Sequence, residues 1–85
     1  MTAAEALKHV RGYAAAGRYF VSQHARQRMQ ERGVRESDLR NALVNARSCA
    51  PQKDDKWKVE GSDLDGDDLT VVVVIDDGLL VVTLF

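Results

Sequence analysis

The strongest structural signal in the sequence lies near its C-terminus. Two runs rich in valine and leucine, Leu69 to Ile75 and Leu79 to Leu84, flank the turn sequence Asp76-Asp77-Gly78. An Asp-Gly step between two such runs is typical of a tight β-hairpin. Because Val71 to Ile75 are apolar at every position, we expect this strand to be central in a sheet and covered on both faces, by helices on one and a partner on the other.

The first half of the chain instead follows helical periodicity, with apolar residues recurring at intervals of three and four. Thr2 and Glu5 form a capping box ahead of the first segment. Ser22 is an N-cap for the second segment, and Gly33 fits the position just past its end. The predicted helices cover about residues 3–16, 23–32 and 38–46.

Shorter segments complete the predicted architecture. Tyr19 to Val21 suits an edge strand, and Trp57 to Glu60 alternates apolar and polar residues as a half-buried strand does. The polar stretches 52–56 and 61–68 are interpreted as a connector and a loop. The sequence thus predicts a single α+β domain over residues 1–85, with three N-terminal helices packed on a small antiparallel β-sheet.

Composition excludes several classes of protein. With 85 residues, 45% of them hydrophobic and 29% charged, the chain suits one globular domain and has no apolar run of the roughly 20 residues that span a bilayer. Its N-terminus lacks the pattern of a secretory signal, so we expect a cytoplasmic protein. The single cysteine, Cys49, excludes an internal disulfide and a cysteine-built zinc site. We expect no cofactor.

Metal ligands are poorly grouped. His9 and His24 lie far apart in the sequence, and carboxylates are concentrated elsewhere. The aspartate-rich turn that begins at Asp63 differs from an EF-hand, which places glycine sixth and glutamate twelfth, because Gly66 is fourth and Val74 is twelfth. The sequence therefore predicts no metal site.

Charge is unevenly distributed along the chain. Residues 1–58 hold all 12 Lys and Arg with six acids, a net charge of +6, whereas residues 59–85 hold seven acids and no base, a net charge of −7. Such asymmetry favours a polyanion on one side and a basic partner on the other. An equally weighted interpretation is that the two halves neutralise each other where they pack.

The second predicted helix carries the candidate catalytic residues. His24, Arg28 and Arg32 are spaced by four and form one stripe. Taking Ala25 and Met29 as its inward direction, Arg32 lies about 40° from that direction, Arg28 about 80° and His24 about 120°. We therefore expect Arg32 nearest the core and His24 most exposed.

Two interpretations of this stripe compete. In one, the guanidinium groups bind a phosphate and His24 transfers a proton near neutral pH. In the other, which spacing alone favours, the arginines pair with the acidic half of the chain and His24 bonds a backbone group. Further candidate nucleic-acid-binding residues are Gln23, Arg26, Arg35 and Lys58.

The motif Ser22-x-His24-Ala25-x-x-Arg28-Met29-x-x-Arg32-Gly33, together with Val59-x-Gly61-x-Asp63-Leu64-x-Gly66, resembles a family of small bacterial domains of unknown function. The resemblance extends from about Leu7 to Phe85. Members often lie beside a zinc-finger antitoxin, and their layout is similar to that of the RelE and MqsR ribonuclease toxins. The resemblance implies a type II toxin that cleaves messenger RNA and binds a cognate antitoxin of zinc-finger or helix-turn-helix type.

The chain departs from those toxins in its last two strands. RelE-like and MqsR-like toxins carry lysine, arginine or tyrosine there, whereas Leu69 to Phe85 contains none. Metal-independent cleavage would then depend on His24, Arg28 and Arg32, with Lys58 and Gln23.

Two further hypotheses stay open, a non-catalytic interaction module that binds a partner protein and a nucleic-acid binder without catalysis. Leu79 to Phe85 is expected to be an edge strand with an apolar tail. The free N–H and C=O groups of an edge strand can pair with another chain, so the sequence also predicts a homodimer or antitoxin contact at this strand.

Overall fold

The chain folds as three helices and five strands, and the three helices and four of the strands are predicted from the sequence. The computed structural model describes all residues from Met1 to Phe85. The elements are α1 (Ala3–Ala15), β1 (Tyr19–Val21), α2 (Gln23–Arg32), α3 (Glu36–Val44), β2 (Ser48–Pro51), β3 (Lys56–Ser62), β4 (Asp68–Ile75) and β5 (Leu79–Leu84). The longest helix has 13 residues, and no helix is long and apolar enough to cross a membrane.

The predicted caps define the ends of the first two helices. The Thr2 hydroxyl accepts a hydrogen bond from the Glu5 N–H at 3.1 Å, and the Glu5 carboxylate accepts one from the Thr2 N–H at 2.8 Å. The Ser22 hydroxyl accepts from the Ala25 N–H at 3.0 Å. Gly33 ends α2 in the left-handed conformation, with φ of 65°. These helix ends are thus determined by residues that lie only a few positions apart in the sequence.

The five strands form one sheet in the order β1-β5-β4-β3-β2. The predicted antiparallel pairing is confirmed for β3, β4 and β5, and β2 is also antiparallel to β3, whereas β1 runs parallel to β5. The predicted central position of β4 is also confirmed. The prediction that β5 is an edge strand is wrong, because β1 pairs with its first half and α2 lies along its second half. The contact proposed at a free β5 edge is therefore withdrawn.

Strand β2 was not predicted from the sequence. It has four residues, ends at Pro51 and pairs with β3 through Cys49 and Val59. Proline is compatible with an edge strand because one side of that strand makes no ladder hydrogen bonds. Gly61 and Ser62, predicted to be part of a loop, instead extend β3.

The helices and the sheet enclose the core on one face of the sheet, and no helix covers the opposite face. The inner face of β4 consists of Leu69, Val71 and Val73, which are fully buried in a core of 17 hydrophobic residues. Val72 and Val74 point to the opposite face and are only half-buried. The helices thus cover one face of β4, as predicted, and a partner on the other face stays a prediction. We call the uncovered side the open face.

Helix α3 crosses β3 at Gly61. A Cβ atom at this position would lie 2.9 Å from the Cα of Ala42, closer than real Cβ atoms approach other heavy atoms. The Asn41 amide donates to the carbonyls of Ser62 at 3.1 Å and Asp63 at 3.4 Å. Glycine at position 61 thus permits direct contact between the helix and the strand.

Candidate active site on the open face

Two rows of side chains cross the open face, because paired residues on neighbouring strands point to the same side. The apolar row consists of Phe20, Leu80, Val74 and Lys56, each paired with the next across β1, β5, β4 and β3. The polar row consists of His24, Thr83, Val72 and Lys58; Thr83, Val72 and Lys58 are paired, and His24 joins from α2. Each row begins with a ring and ends with a lysine on β3.

A β-bulge brings Thr83 to the open face. Val81 is buried, so strict alternation along β5 would bury Thr83 as well. Val73 pairs with Val81 but Val72 pairs with Thr83, which leaves one extra residue in β5 between them. This residue reverses the alternation, so that Thr83 shares a face with Leu80.

His24 lies in the first turn of α2 and contacts Thr83 directly. Its Nε2 atom is 3.1 Å from the Thr83 hydroxyl oxygen. Ser22 holds the start of the helix against β5, since its N–H donates to the Val81 carbonyl at 3.0 Å and its hydroxyl to the Val82 carbonyl at 2.9 Å. The imidazole is exposed, as predicted. Its Nδ1 atom has no hydrogen-bond partner within the protein.

Arg28 lies one turn further along α2. Its Nε–H donates to the Leu84 carbonyl at 3.2 Å, and its Nη1 atom is 3.7 Å from a Glu31 carboxylate oxygen. The side chain is 37% exposed. One edge of the guanidinium is thus used to hold the end of β5, while the rest remains accessible to an anion.

Arg32 differs from the prediction. It is exposed and makes no hydrogen bond or ion pair, so its predicted place as the arginine nearest the core is wrong. The reason is the length of β5, which ends at Leu84, where Arg28 already contacts it. One turn later, Arg32 has no strand to pack against. The structure brings Arg28, but not Arg32, into contact with β5.

The four nucleic-acid-binding candidates lie in different surroundings. Gln23 is exposed beside His24 in the first turn of α2. Arg26 is 3.7 Å from Glu36, with both side chains more than half exposed. Lys58 is in the polar row, 3.8 Å from Glu60. Among the four, Lys58 is the one that shares the open face with His24 and Thr83.

Arg35, the fourth candidate, is part of a structural cluster. Asp38 is only 5% exposed, and its carboxylate accepts from the Arg35 N–H at 3.0 Å and from the Leu64 N–H at 3.0 Å. These hydrogen bonds, together with the nearby guanidinium, lower the pKa of Asp38 below its usual value of 3.8. The cluster ties the start of α3 to the loop between β3 and β4.

The basic and acidic halves neutralise each other only in part. Two ion pairs join helical-half arginines to aspartates of the second half, Arg18 to Asp77 at 2.9 Å and Arg47 to Asp68 at 3.0 Å. Other arginines pair with acids within the helical half. Lys56, on the open face, has no acidic partner.

Neither the acidic turn nor the cysteine forms a reactive centre. No group of three or more potential ligands is arranged to hold a metal ion. The carboxylate of Asp63 accepts from the N–H groups of Asp65 and Asp67, so it stabilises its own turn. Burial raises the pKa of the Cys49 thiol to about 11, which keeps it protonated and unreactive near neutral pH.

The fold and the open face define a small α+β domain whose candidate site is shared between a helix and the sheet. The chain belongs to the family described as a domain of unknown function (DUF4258), whose sequence profile matches residues 21–85. The match covers α2, α3 and strands β2 to β5, and thus every residue of the polar row. No curated protein and no solved structure matches the chain.

Proposed function

We propose that this protein is a metal-independent endoribonuclease that cleaves messenger RNA, the toxin of a type II toxin–antitoxin pair. The observation that carries the proposal is the polar row, in which the exposed imidazole of His24 contacts the Thr83 hydroxyl on β5 and Lys58 lies on the same face two strands further on, on β3. Proton transfer and phosphate stabilisation are the two requirements of RNA cleavage without a metal. The polar row supplies a group for each.

His24 is the proposed general base. With Nε2–H donating to Thr83, the Nδ1 atom is the acceptor that removes the proton from a ribose 2′-hydroxyl. The 2′-oxygen then attacks the adjacent phosphorus, the bond from phosphorus to the 5′-oxygen breaks, and the imidazolium returns the proton to that leaving oxygen. The products are a 2′,3′-cyclic phosphate and a 5′-hydroxyl end.

Lys58 and Arg28 are the proposed phosphate ligands. Negative charge grows on the non-bridging oxygens as the 2′-oxygen attacks, and cations placed there stabilise the transition state. Lys58 approaches from β3, and the accessible edge of Arg28 approaches from α2. Gln23 is in position to hold a neighbouring part of the RNA, whereas Arg32 is more distant from β5 and has a lesser role.

Cleavage and growth assays test this function. Induced expression of the wild-type protein is expected to arrest growth, and the purified protein to release cyclic-phosphate ends from RNA. His24→Ala is expected to abolish both effects, Arg28→Ala to reduce them strongly, and Gln30→Ala, on the exposed side of α2, to leave them unchanged. Wild-type protein that neither cleaves RNA nor slows growth would contradict the proposal.

A non-catalytic interaction module is the second candidate function. The pairing of Arg26 with Glu36 and of Arg28 with Glu31 favours it, because both arginines then already have counter-charges. The toxin function additionally requires a cognate antitoxin, proposed to be of zinc-finger or helix-turn-helix type. Co-expression with a protein encoded next to this chain is expected to relieve the growth arrest if the pair exists.

A further inference from the structure

We propose that the open face binds single-stranded RNA, with one base stacked on Phe20 and the backbone directed along the lysines of β3. The inference rests on the proposed function for its ligand, but the contacts that it adds, Phe20 and Lys56, lie outside the catalytic residues. It assigns a role to the apolar row, which the cleavage chemistry does not use.

Phe20 is the most exposed large hydrophobic residue of the chain. It is 80% exposed, although its strand neighbours Tyr19 and Val21 pack against the core. Leu80, beside it in the apolar row, is 44% exposed, and Val74 follows half-buried. A hollow of about 570 Å³ lies against these three residues. Phe20 therefore borders a shallow hollow and is largely open to solvent.

The charge of the open face favours an anionic ligand. Lys56 has no acidic partner, and Lys58 is matched only by Glu60, whose other carboxylate oxygen accepts from the Thr70 hydroxyl at 2.9 Å. A second copy of this face would bring the same two lysines, the same occupied carboxylate and one unpaired acid, Asp76, against them. An apolar peptide would leave Lys56 without a counter-charge. RNA supplies both a flat apolar base and a phosphate.

The acidic groups beside the hollow set a limit on where the RNA lies. Asp77 is neutralised by Arg18 at 2.9 Å, but Asp76 in the same turn has no cationic partner. The phosphates are therefore expected to leave the turn and follow β3 from Lys56 towards Lys58. These residues lie in adjacent rows about 7 Å apart.

The geometry agrees with this path. Phe20 and Lys56 are the two ends of the apolar row and lie about 14 Å apart, which is three inter-strand spacings. His24 and Lys58 are the two ends of the polar row beside it. A base on Phe20 thus places the following nucleotide over the polar row. Stacking on an aromatic ring tolerates any base, so this contact supplies affinity without selecting a sequence.

Binding of a 2′-O-methyl oligoribonucleotide tests the inference separately from cleavage, because this RNA has no free 2′-hydroxyl to react. In a fluorescence anisotropy titration with a short unstructured oligonucleotide, Phe20→Ala is expected to weaken binding about 5- to 100-fold. Phe20→Trp is expected to retain affinity and Phe20→Leu to lose it, which distinguishes stacking from simple apolar contact. Leu64→Ala, at an exposed leucine in the β3–β4 loop, is the matched control and is expected to bind as the wild type does.

Charge variants test the direction of the backbone. Lys56→Gln is expected to reduce the slope of log affinity against log salt by about 0.7, the value for one phosphate on a single strand. Asp76→Asn is expected to strengthen binding. Circular dichroism spectra matching the wild type would show that these surface variants remain folded.

Three results would overturn the inference: affinity unchanged in Phe20→Ala, wild-type affinity in Phe20→Leu, or a dimer by light scattering that Phe20→Ala converts to a monomer. Binding that depends on Phe20, without cleavage of unmodified RNA, would support the binding site and contradict the ribonuclease function. Cleavage with a KM that Phe20→Ala does not alter would support the ribonuclease function and contradict the binding site.

Discussion

Gly61 is the residue at which one added methyl group would separate α3 from the sheet. The Cβ of Gly61→Ala would collide with the backbone of Ala42, which cannot move without displacing the helix. We expect the substitution to lower the free energy of unfolding by about 3 kcal/mol or more. Urea denaturation measures the effect. Gly12→Ala is the matched control, because a Cβ there meets nothing within 4 Å and alanine favours the helix by about 0.5–1 kcal/mol.

Asp38 is expected to make stability depend on acid pH. Its pKa is lowered in the folded state, so its contribution is fully present above the unfolded value near 3.8 and is lost as pH falls through the folded value. Thermal melts between pH 2 and 7 should therefore show Asp38→Asn to be less stable than the wild type at pH 7, with the difference shrinking in acid. A difference in stability between the two proteins that stays constant down to pH 2 would contradict this prediction.

Glu5 is the control for that experiment. Its pKa is also lowered, chiefly by the hydrogen bond from the Thr2 N–H, but it lies exposed at the start of α1. Glu5→Gln should give a smaller change of the same sign. Comparison of the two variants separates the buried carboxylate, which joins α3 to a loop, from an exposed helix cap.

At the scale of elements, α2 depends on Ser22 for both its start and its attachment. The hydroxyl accepts from the Ala25 N–H and donates to the Val82 carbonyl, so Ser22→Ala removes a cap and a link to β5 together. We expect a loss of about 1–2 kcal/mol in urea denaturation. Gln27→Ala, exposed on the same helix, should change stability by less than about 0.5 kcal/mol. Equal effects from the two substitutions would show that the docking is unimportant.

The elements could be predicted where the signal was local. Capping residues located α1 and α2, and the Asp-Gly turn located the β4–β5 hairpin, because each depends on residues a few positions apart. Strand β2 is held mainly by pairing with β3, so its own four residues gave no period to recognise. The position of Arg32 depended on where β5 ends, a property of another element.

At the scale of the whole molecule, the sequence predicted only some of the residues of the candidate site. His24, Arg28 and Lys58 were identified from residue type and spacing, but Thr83 was not, because alternation along β5 assigns it to the buried side. The bulge that reverses this assignment is a property of the paired strands. Phe20 likewise joined the open face only through the parallel pairing of β1 with β5, which are distant in sequence.

The part of the chain outside the matched family region contributes to the core. Helix α1 lies before residue 21, yet Ala6, Val10 and Ala14 are completely buried, and the Arg11 Nε–H donates to the Ala46 carbonyl at 2.9 Å. Removing α1 would expose the α3 and β2 surfaces that it covers. We expect the free energy of unfolding to fall by several kcal/mol, a large share of the roughly 5–15 kcal/mol that stabilises a typical domain. A chain starting at Arg18 is therefore expected to give collapsed, poorly dispersed amide NMR signals, whereas a dispersed native-like spectrum would show that residues 18–85 fold alone.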